Sequence, residues 1–344
     1  MGCRKVGSKQ SNIIPNRFAP ILEYKISETM LDSQNYQQII LPNKFKQQII
    51  NTFSNKGEQW LQKLPDIIKY TMHKWQLEDI QPANNLSYNY IIYGYSKLYH
   101  TQIVLKIICD NSEFNQEKMC LLDFQGYGIN KLLDYDARYN ILFLEKIGDG
   151  TTLKSLFPSN ENSAIEIVAR IIKKLNETKK EFNQINYPTV LEWAGKIIKQ
   201  CNFGQIDVEF IKLGHQLVDE LLCKNNNIYE SEHLLHGDLH HENILYSNSG
   251  DWISIDPKGV VGNIAYETGA FMRNPVPELL QHPNLEGLLM NRISKFSVLL
   301  ELDKQLLIKY SYLCTLLATI SNLVDNGNRW QDWIQLLPIF RSMF

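Results

Sequence analysis

Residues 234–262 read LLHGDLHHENILYSNSGDWISIDPKGVVG. The stretch opens with a polar loop, His236-Gly237-Asp238-Leu239-His240-His241-Glu242-Asn243. A short apolar strand is expected at 244–246. Asn248-Ser249-Gly250 then signals a turn, because Asn and Gly both tolerate positive φ. A second strand, 252–255, delivers Asp256 at its end, and Pro257 and Gly259 stop regular structure. The hairpin brings Asn243 and Asp256 side by side, with Asp238 nearby on the loop.

That juxtaposition suits phosphoryl transfer, which asks a protein mainly for positioning and charge neutralisation. Asp238 can accept the proton of an attacking hydroxyl. Asn243 and Asp256 offer hard oxygen ligands to Mg²⁺, which takes a few protein oxygens beside phosphates and waters. A loop Asp, then an Asn, then an Asp after a hairpin is also the order in protein kinases. Here Gly237 stands where such loops carry Arg, and Pro257-Lys258 where Phe-Gly follows the metal Asp. Those departures argue against a protein kinase. A metal-hydrolase cluster built from His236, His240, His241 and the neighbouring acids would leave Asn243 and Asp256 without a purpose. His236 is expected to brace the loop by hydrogen bonds. His240 and His241 are open between loop packing and phosphate contact.

HGDLHHEN followed by IDPKGVVG resembles the aminoglycoside phosphotransferase family of kinase-like small-molecule kinases. Within it, the pair is similar to the branch that phosphorylates streptomycin, grouped with hydroxyurea-resistance kinases. Residues 51–78, NTFSNKGEQWLQKLPDIIKYTMHKWQLE, resemble the start of streptomycin-type members, so the resemblance runs over roughly residues 40–340. It implies a two-lobe α+β fold, with a small N-terminal lobe at 41–147 and a larger, mainly helical lobe at 148–344. ATP and Mg²⁺ would lie between them, and the acceptor would be a hydroxylated antibiotic, streptomycin first. Another hydroxylated metabolite, or a hydroxyurea-like compound, is the alternative acceptor, and an inactive pseudokinase that only binds nucleotide is the alternative to catalysis.

Composition is compatible with this. A chain of 344 residues with 44% hydrophobic residues can bury a sizeable core in one or two domains. The net charge of −2 gives no reason to expect nucleic acid or an anionic membrane. The six Cys lie far apart with no CxxC pair, which excludes a zinc pattern or disulfide framework and fits a reducing cytoplasm. No uninterrupted apolar run approaches the ~18 residues of a membrane span. A cytoplasmic monomer with a small-molecule partner is expected. Residues 1–40 read as a flexible leader: Val6 stands where a myristoylation site wants Ser or Thr, and no secretory core follows.

Within the first lobe, Phe45, Ile49, Ile50 and Phe53, then Trp60, Leu61 and Leu64, recur at helical spacing, and Pro65 is expected to start a further helix. Residues 90–95 and 101–108 form a hairpin rich in aromatic and β-branched residues. Lys106 sits mid-strand among apolar residues, and a buried Lys is costly unless paired. It is read as the phosphate-binding lysine of a kinase-like hairpin, against a snorkelling edge Lys. The covering turn lacks a Gly-rich signature, so Ser87 and backbone N–H groups near Tyr88 are the expected phosphate cradle. A helix over 112–124, with Ser112 as N-cap, offers Glu117 or Glu113 to pair with Lys106; the resemblance favours Glu117. Residues 140–147 read as a strand leading to the hinge, where the resemblance places adenine against backbone groups of Glu145 and Ile147.

The second lobe is read as amphipathic helices around 165–175, 190–201 and 208–223. After Gly262, IAYETGAFMRNP resembles the family segment beyond the metal Asp. Glu267 is read there either as a brace for the loop or as a substrate contact, and Arg273 and Asn274 as cleft-lining. Asp325-Asn326-Gly327 lies where relatives carry an acidic turn near the substrate. Asp325 therefore stands for a carboxylate that bonds a cationic aminoglycoside, or for a turn that only ends a helix.

Overall fold

Asn89–Ser96, with alternating burial, and Thr101–Ile108, buried throughout its second half, build the centre of a five-stranded antiparallel sheet in the computed structural model. That structure describes residues 41–177, 187–199, 204–223, 232–325 and 327–344; the expected leader, 1–40, and Asn326 lie outside them. Helix α1 (Asn43–Lys74) opens the described chain. It bends at Ser54, where φ is 50°, and Pro65 lies inside it rather than starting a separate helix. Strands β1 (Leu77–Pro82), β2 (Asn89–Ser96), β3 (Thr101–Ile108), β4 (Leu132–Asp136) and β5 (Ile141–Glu145) follow in spatial order β1-β2-β3-β5-β4.

The two faces of this sheet have different tasks. On one, Leu105 pairs across to Phe143, and Trp75 stacks on the Phe143 ring at 4.7 Å. On the other, Val104 lies opposite Leu144 and Lys106 opposite Leu142. Helix α2 (Asn111–Phe124) carries Glu117 with the buried Phe114, Leu121 and Phe124. Its N-cap is Asp110, not Ser112: the Asp110 carboxylate accepts from the backbone N–H groups of Ser112 and Glu113. An ionised side chain two residues earlier is the better partner for the open first turn.

Among the described residues beyond Glu145, regular structure is helical except for two small ribbons. Helices α3 (Glu161–Asn176), α4 (Val190–Lys199) and α5 (Val208–Val218) precede β6 (His233–Leu235). Strands β7 (Ile244–Tyr246) and β8 (Trp252–Ser254) form the expected hairpin, and β9 (Val260–Gly262) pairs with β6. The loop 236–243 is thus strung between two ribbons. Helices α6 (Ile264–Glu267), α7 (Gly269–Met272), α8 (Leu285–Leu300) and α9 (Lys304–Val324) follow. Helix α9 is central: α4 to α8 and the two short C-terminal helices all pack on it. By length and composition it could cross a membrane, at mean hydropathy 1.3, although Ser, Thr and Tyr interrupt its apolar run. Its apolar window is 67% buried, which marks a core helix of this lobe.

Candidate active site

Lys106 reaches across the sheet face to α2, where both carboxylate oxygens of Glu117 accept from its Nζ, at 2.9 and 2.7 Å. Glu113, the other candidate, instead accepts from the Asn89 amide. Asp256 completes the group, its Oδ1 3.4 Å from Nζ. Burial alone would lower the Lys106 pKa, but the carboxylates of Asp256 and Glu117 outweigh it and hold the ammonium well above its usual range. Burial pushes Glu117 up to about 7 against the pull of Lys106. A lysine with two acidic partners stays charged in a dry wall.

The loop is braced from inside. His236 is fully buried, and burial pushes its pKa down to about 4, so the ring is neutral. Nε2 must carry the proton, since it meets the carbonyl of Ile255 at 2.8 Å; Nδ1 accepts from the Asp238 N–H at 3.3 Å. Gly237 sits at φ 80°, and a Cβ there would lie 2.9 Å from Val260 Cγ1, so a larger residue does not fit where protein kinases place Arg. Glu267 receives the N–H groups of His236 and Gly237 at 2.6 and 3.0 Å. It is buried behind the loop and lines neither cavity of the site, so its placement is that of the brace and not of the substrate contact. His241 is packed inside, stacked on Phe271 at 4.2 Å.

Asp238 presents its carboxylate beside Arg273, whose Nη2 donates to Oδ1 at 3.1 Å. Burial would raise its pKa, but His240 and Arg273 outweigh it, and the group stays below the usual carboxylate value. Asn243 donates its Nδ2 to the carbonyl of Asp238 at 3.0 Å, which commits the amide nitrogen and leaves Oδ1 as its remaining group. The carbonyl of Asn243 accepts from the Ile255 N–H at 2.9 Å and so fixes the start of the segment bearing Asp256. Asp256 itself adopts φ 60°, a left-handed conformation that Asp tolerates better than most residues. Lys106 and Lys258 hold its carboxyl below the usual value against the opposing effect of burial.

Two cavities meet at this loop. One, of about 600 Å³, is lined by Ser87, Lys106, Glu145, Ile147, Asn243 and Asp256. The other, of about 380 Å³, is lined by Asp238, Arg273, Asn274 and Asp325 together with Arg329 and Trp333. His240 and Glu242 belong to both walls. The sequence-predicted residues thus divide into two groups, with Glu117 behind Lys106 and Glu267 behind the loop. Asp325 is exposed at the end of α9, and partial burial raises its carboxyl. Arg329 and Asn130, which also line these cavities, carry no motif signal in the sequence.

The donor set fits Mg²⁺. Among the described residues no three or more His, Cys, Asp or Glu side chains converge as an all-protein metal centre. The carboxylate of Asp256 and the amide oxygen of Asn243 are the few hard oxygens that Mg²⁺ takes when phosphates supply the rest.

Comparison with known proteins agrees with this geometry. The family described as aminoglycoside/hydroxyurea antibiotic resistance kinase matches residues 94–326. Streptomycin 6-kinase of Streptomyces glaucescens is 20% identical over 274 residues, 77% of this chain and 84% of that protein. Hydroxyurea phosphotransferase of Kitasatospora aureofaciens is 23% identical over 216 residues, 61% of each. Among solved structures, aminoglycoside phosphotransferase APH(4)-Ia gives a TM-score of 0.59 at 13% identity, over 81% of this chain and 98% of that one. Choline kinase LicA from Streptococcus pneumoniae gives 0.60 at 15%, over 82% and 99%. These superpositions establish the two-lobe, kinase-like fold. The family match spans most of the chain and includes Lys106, Glu117, Asp238, Asn243 and Asp256, and by it the chain belongs to the aminoglycoside/hydroxyurea antibiotic resistance kinases.

Proposed function

We propose that the protein is an ATP- and Mg²⁺-dependent O-phosphotransferase acting on a hydroxyl of an aminoglycoside antibiotic, streptomycin first. The observation that carries this reading is the meeting of the two cavities. Asp238 lines the smaller, Lys106, Asn243 and Asp256 line the larger, and the Asn243 amide is bonded to Asp238 itself. ATP takes the larger cavity, with its adenine edge on the backbone of Glu145 and Ile147 and its phosphates between Ser87 and Lys106. Asn243 and Asp256 would hold Mg²⁺, which when bound neutralises phosphate charge. Asp238 accepts the proton of the acceptor hydroxyl. The hydroxyl oxygen bonds to the γ-phosphorus, the bond from that phosphorus to the β,γ-bridging oxygen breaks, and ADP leaves with the electron pair. Asp325 and Glu242 offer carboxylates to guanidinium or ammonium groups of the acceptor. The added phosphate would spoil the drug's fit to an anionic target, which is resistance.

The test is ADP release with Mg·ATP, streptomycin present or absent, for the protein and its Asp238→Ala variant. Streptomycin-dependent turnover that falls roughly 10²–10⁴-fold in the variant is expected for loss of a general base. Near-wild-type turnover in the variant would remove Asp238 from this role.

A second reading keeps the chemistry and changes the acceptor. Arg273 and Arg329 share the acceptor cavity with Asp238, Glu242 and Asp325, so three acids face two bases. That mixed field also suits an uncharged hydroxylated compound of the hydroxyurea kind. Susceptibility of cells expressing the protein to streptomycin and to hydroxyurea separates the two.

A further inference from the structure

Asn130 follows α2 and stands in the wall of the larger cavity, where it is 4% exposed. Its backbone is fixed: its N–H donates to Ser254 at 2.9 Å, and the neighbouring Ile129 bridges to the same residue. Its side chain is not. Among the described residues no hydrogen bond reaches either end of the amide, and Oδ1 is enclosed without a partner. Buried polar groups are nearly always paired, so an amide left idle in a cavity wall points to a ligand.

The register says which part of a ligand it meets. Leu132 pairs with Leu144, and Lys131 O accepts from the Glu145 N–H at 3.0 Å, so the chain at Asn130 runs beside the start of the hinge. On its other side is the Ser254-Ile255 segment. Val104, Leu144, Leu245 and Ile255 supply apolar lining for a flat base in the same cavity. A purine whose Watson–Crick edge meets the backbone of Glu145 and Ile147 turns its 6-substituent and N7 toward the Glu145 side, where Asn130 lies.

We propose that Asn130 reads the base of the phosphate donor through a bidentate contact to the N6/N7 edge of adenine, which makes ATP the preferred nucleotide over GTP. The amide offers one acceptor and one donor side by side. Adenine is complementary: its 6-amino N–H donates to Oδ1, and its N7 accepts from Nδ2. Guanine presents two acceptors on that edge, O6 and N7, and leaves Oδ1 facing a carbonyl. No hydrogen bond restrains the amide, so rotation about its Cβ–Cγ bond can bring both ends to bear. The inference rests on the proposed nucleotide role of this cavity.

The experiment needs no acceptor substrate. Displacement of a fluorescent ribose-labelled ATP gives dissociation constants for ATP, GTP, 7-deaza-ATP, which lacks the N7 acceptor, and purine riboside triphosphate, which lacks the 6-amino group. The expectation for the wild-type protein is that all three analogues bind more weakly than ATP, by about 5–100-fold for loss of a bidentate pair. In Asn130→Leu, ATP weakens by a similar factor and 7-deaza-ATP binds as ATP does. Asn130→Asp, close in shape, keeps the 6-amino contact and loses the N7 one. Equal binding of ATP and 7-deaza-ATP to the wild-type protein overturns the inference and needs no variant to fold. An unchanged ATP to 7-deaza-ATP ratio in a folded Asn130→Leu does the same. Failure of every triphosphate to bind would overturn the nucleotide reading instead.

Discussion

Arg273 grips Asp238 with one arm of its guanidinium and the buried thiol of Cys314 with the other. Nη2 lies 3.1 Å from Asp238 Oδ1, Nη1 lies 3.0 Å from Cys314 Sγ, and Cζ stands 5.3 Å from the Trp333 ring centroid. An arginine so placed keeps Asp238 ionised and aimed, at the cost of competing for its lone pairs. The pH dependence follows. As the proposed base, Asp238 would act only when ionised, so activity is expected above its pKa and lost as pH falls through it. His240 and Arg273 hold that pKa below the usual value against burial. In Arg273→Met the pKa rises, and the acid limb of the kcat/KM profile moves to higher pH. A pH–rate profile with an unmoved acid limb would show that Arg273 does not act through Asp238.

Lys106 is predicted to matter for nucleotide affinity more than for folding. It is buried with Glu117, and Burial of a lone carboxylate would be costly. Glu117, however, is already pushed up to about 7 by burial, so it can take up a proton when its partner is gone. Lys106→Met should therefore stay folded near and below pH 7. Its Mg·ATP dissociation constant, read by calorimetry, should rise about tenfold or more for the loss of a charged hydrogen bond. Unchanged affinity would move the phosphates elsewhere.

Glu267 gives a prediction about stability. Its two oxygens accept backbone N–H groups from both residues that precede Asp238. In Glu267→Gln the amide nitrogen must face one of those donors, which costs about 1–3 kcal/mol. Burial raises the Glu267 carboxyl to about 7 in the folded protein, above its ordinary 4.5. A raised folded pKa contributes stability that is full below the unfolded pKa and is lost as pH rises through the folded one. The deficit of Glu267→Gln, which lacks this titration, should therefore shrink between pH 5 and 8. Urea denaturation at both ends of that window measures it, and a deficit growing with pH would contradict the assignment.

The residues that carry the site were legible because charge and spacing expose them. Lys106 interrupts an apolar strand, and Asp238, Asn243 and Asp256 sit in a loop and hairpin whose turn residues are explicit. What escaped depends on tertiary context. Strands β1 and β4 lack clean alternation: β1 reads LEDIQP with a register shift between Glu78 and Gln81, and β4 reads LLDYD with one between Leu132 and Asp134. Pro65 is accommodated within α1, so proline did not mark a boundary there. Asn130 is one polar residue after a glycine turn, and its isolation emerges only when the cavity wall closes around it. Glu267 was open between two roles until its distances to His236 and Gly237 placed it behind the loop.

Arg292 supports the site from the core, and its removal is the most damaging change foreseen. The side chain is fully buried; Nε donates to Glu161 Oε1 at 2.6 Å, and Nη1 to the carbonyls of Phe271, Met272 and Asn274 at 2.8, 3.1 and 2.7 Å. Its guanidinium also lies over the Phe271 ring, with Cζ 4.5 Å from the centroid. These bonds clamp the turn that presents Arg273 to Asp238. Arg292→Met leaves a buried carboxylate and three carbonyls without this partner, so a loss of about 3–5 kcal/mol is expected. In a chain of 344 residues that lowers Tm by roughly 4–7 °C. Glu161→Met added to it removes the uncompensated charge, so the double variant should melt above Arg292→Met alone. A single variant within 2 °C of wild type, or a double variant that melts lower still, would show that the clamp is not what holds this turn.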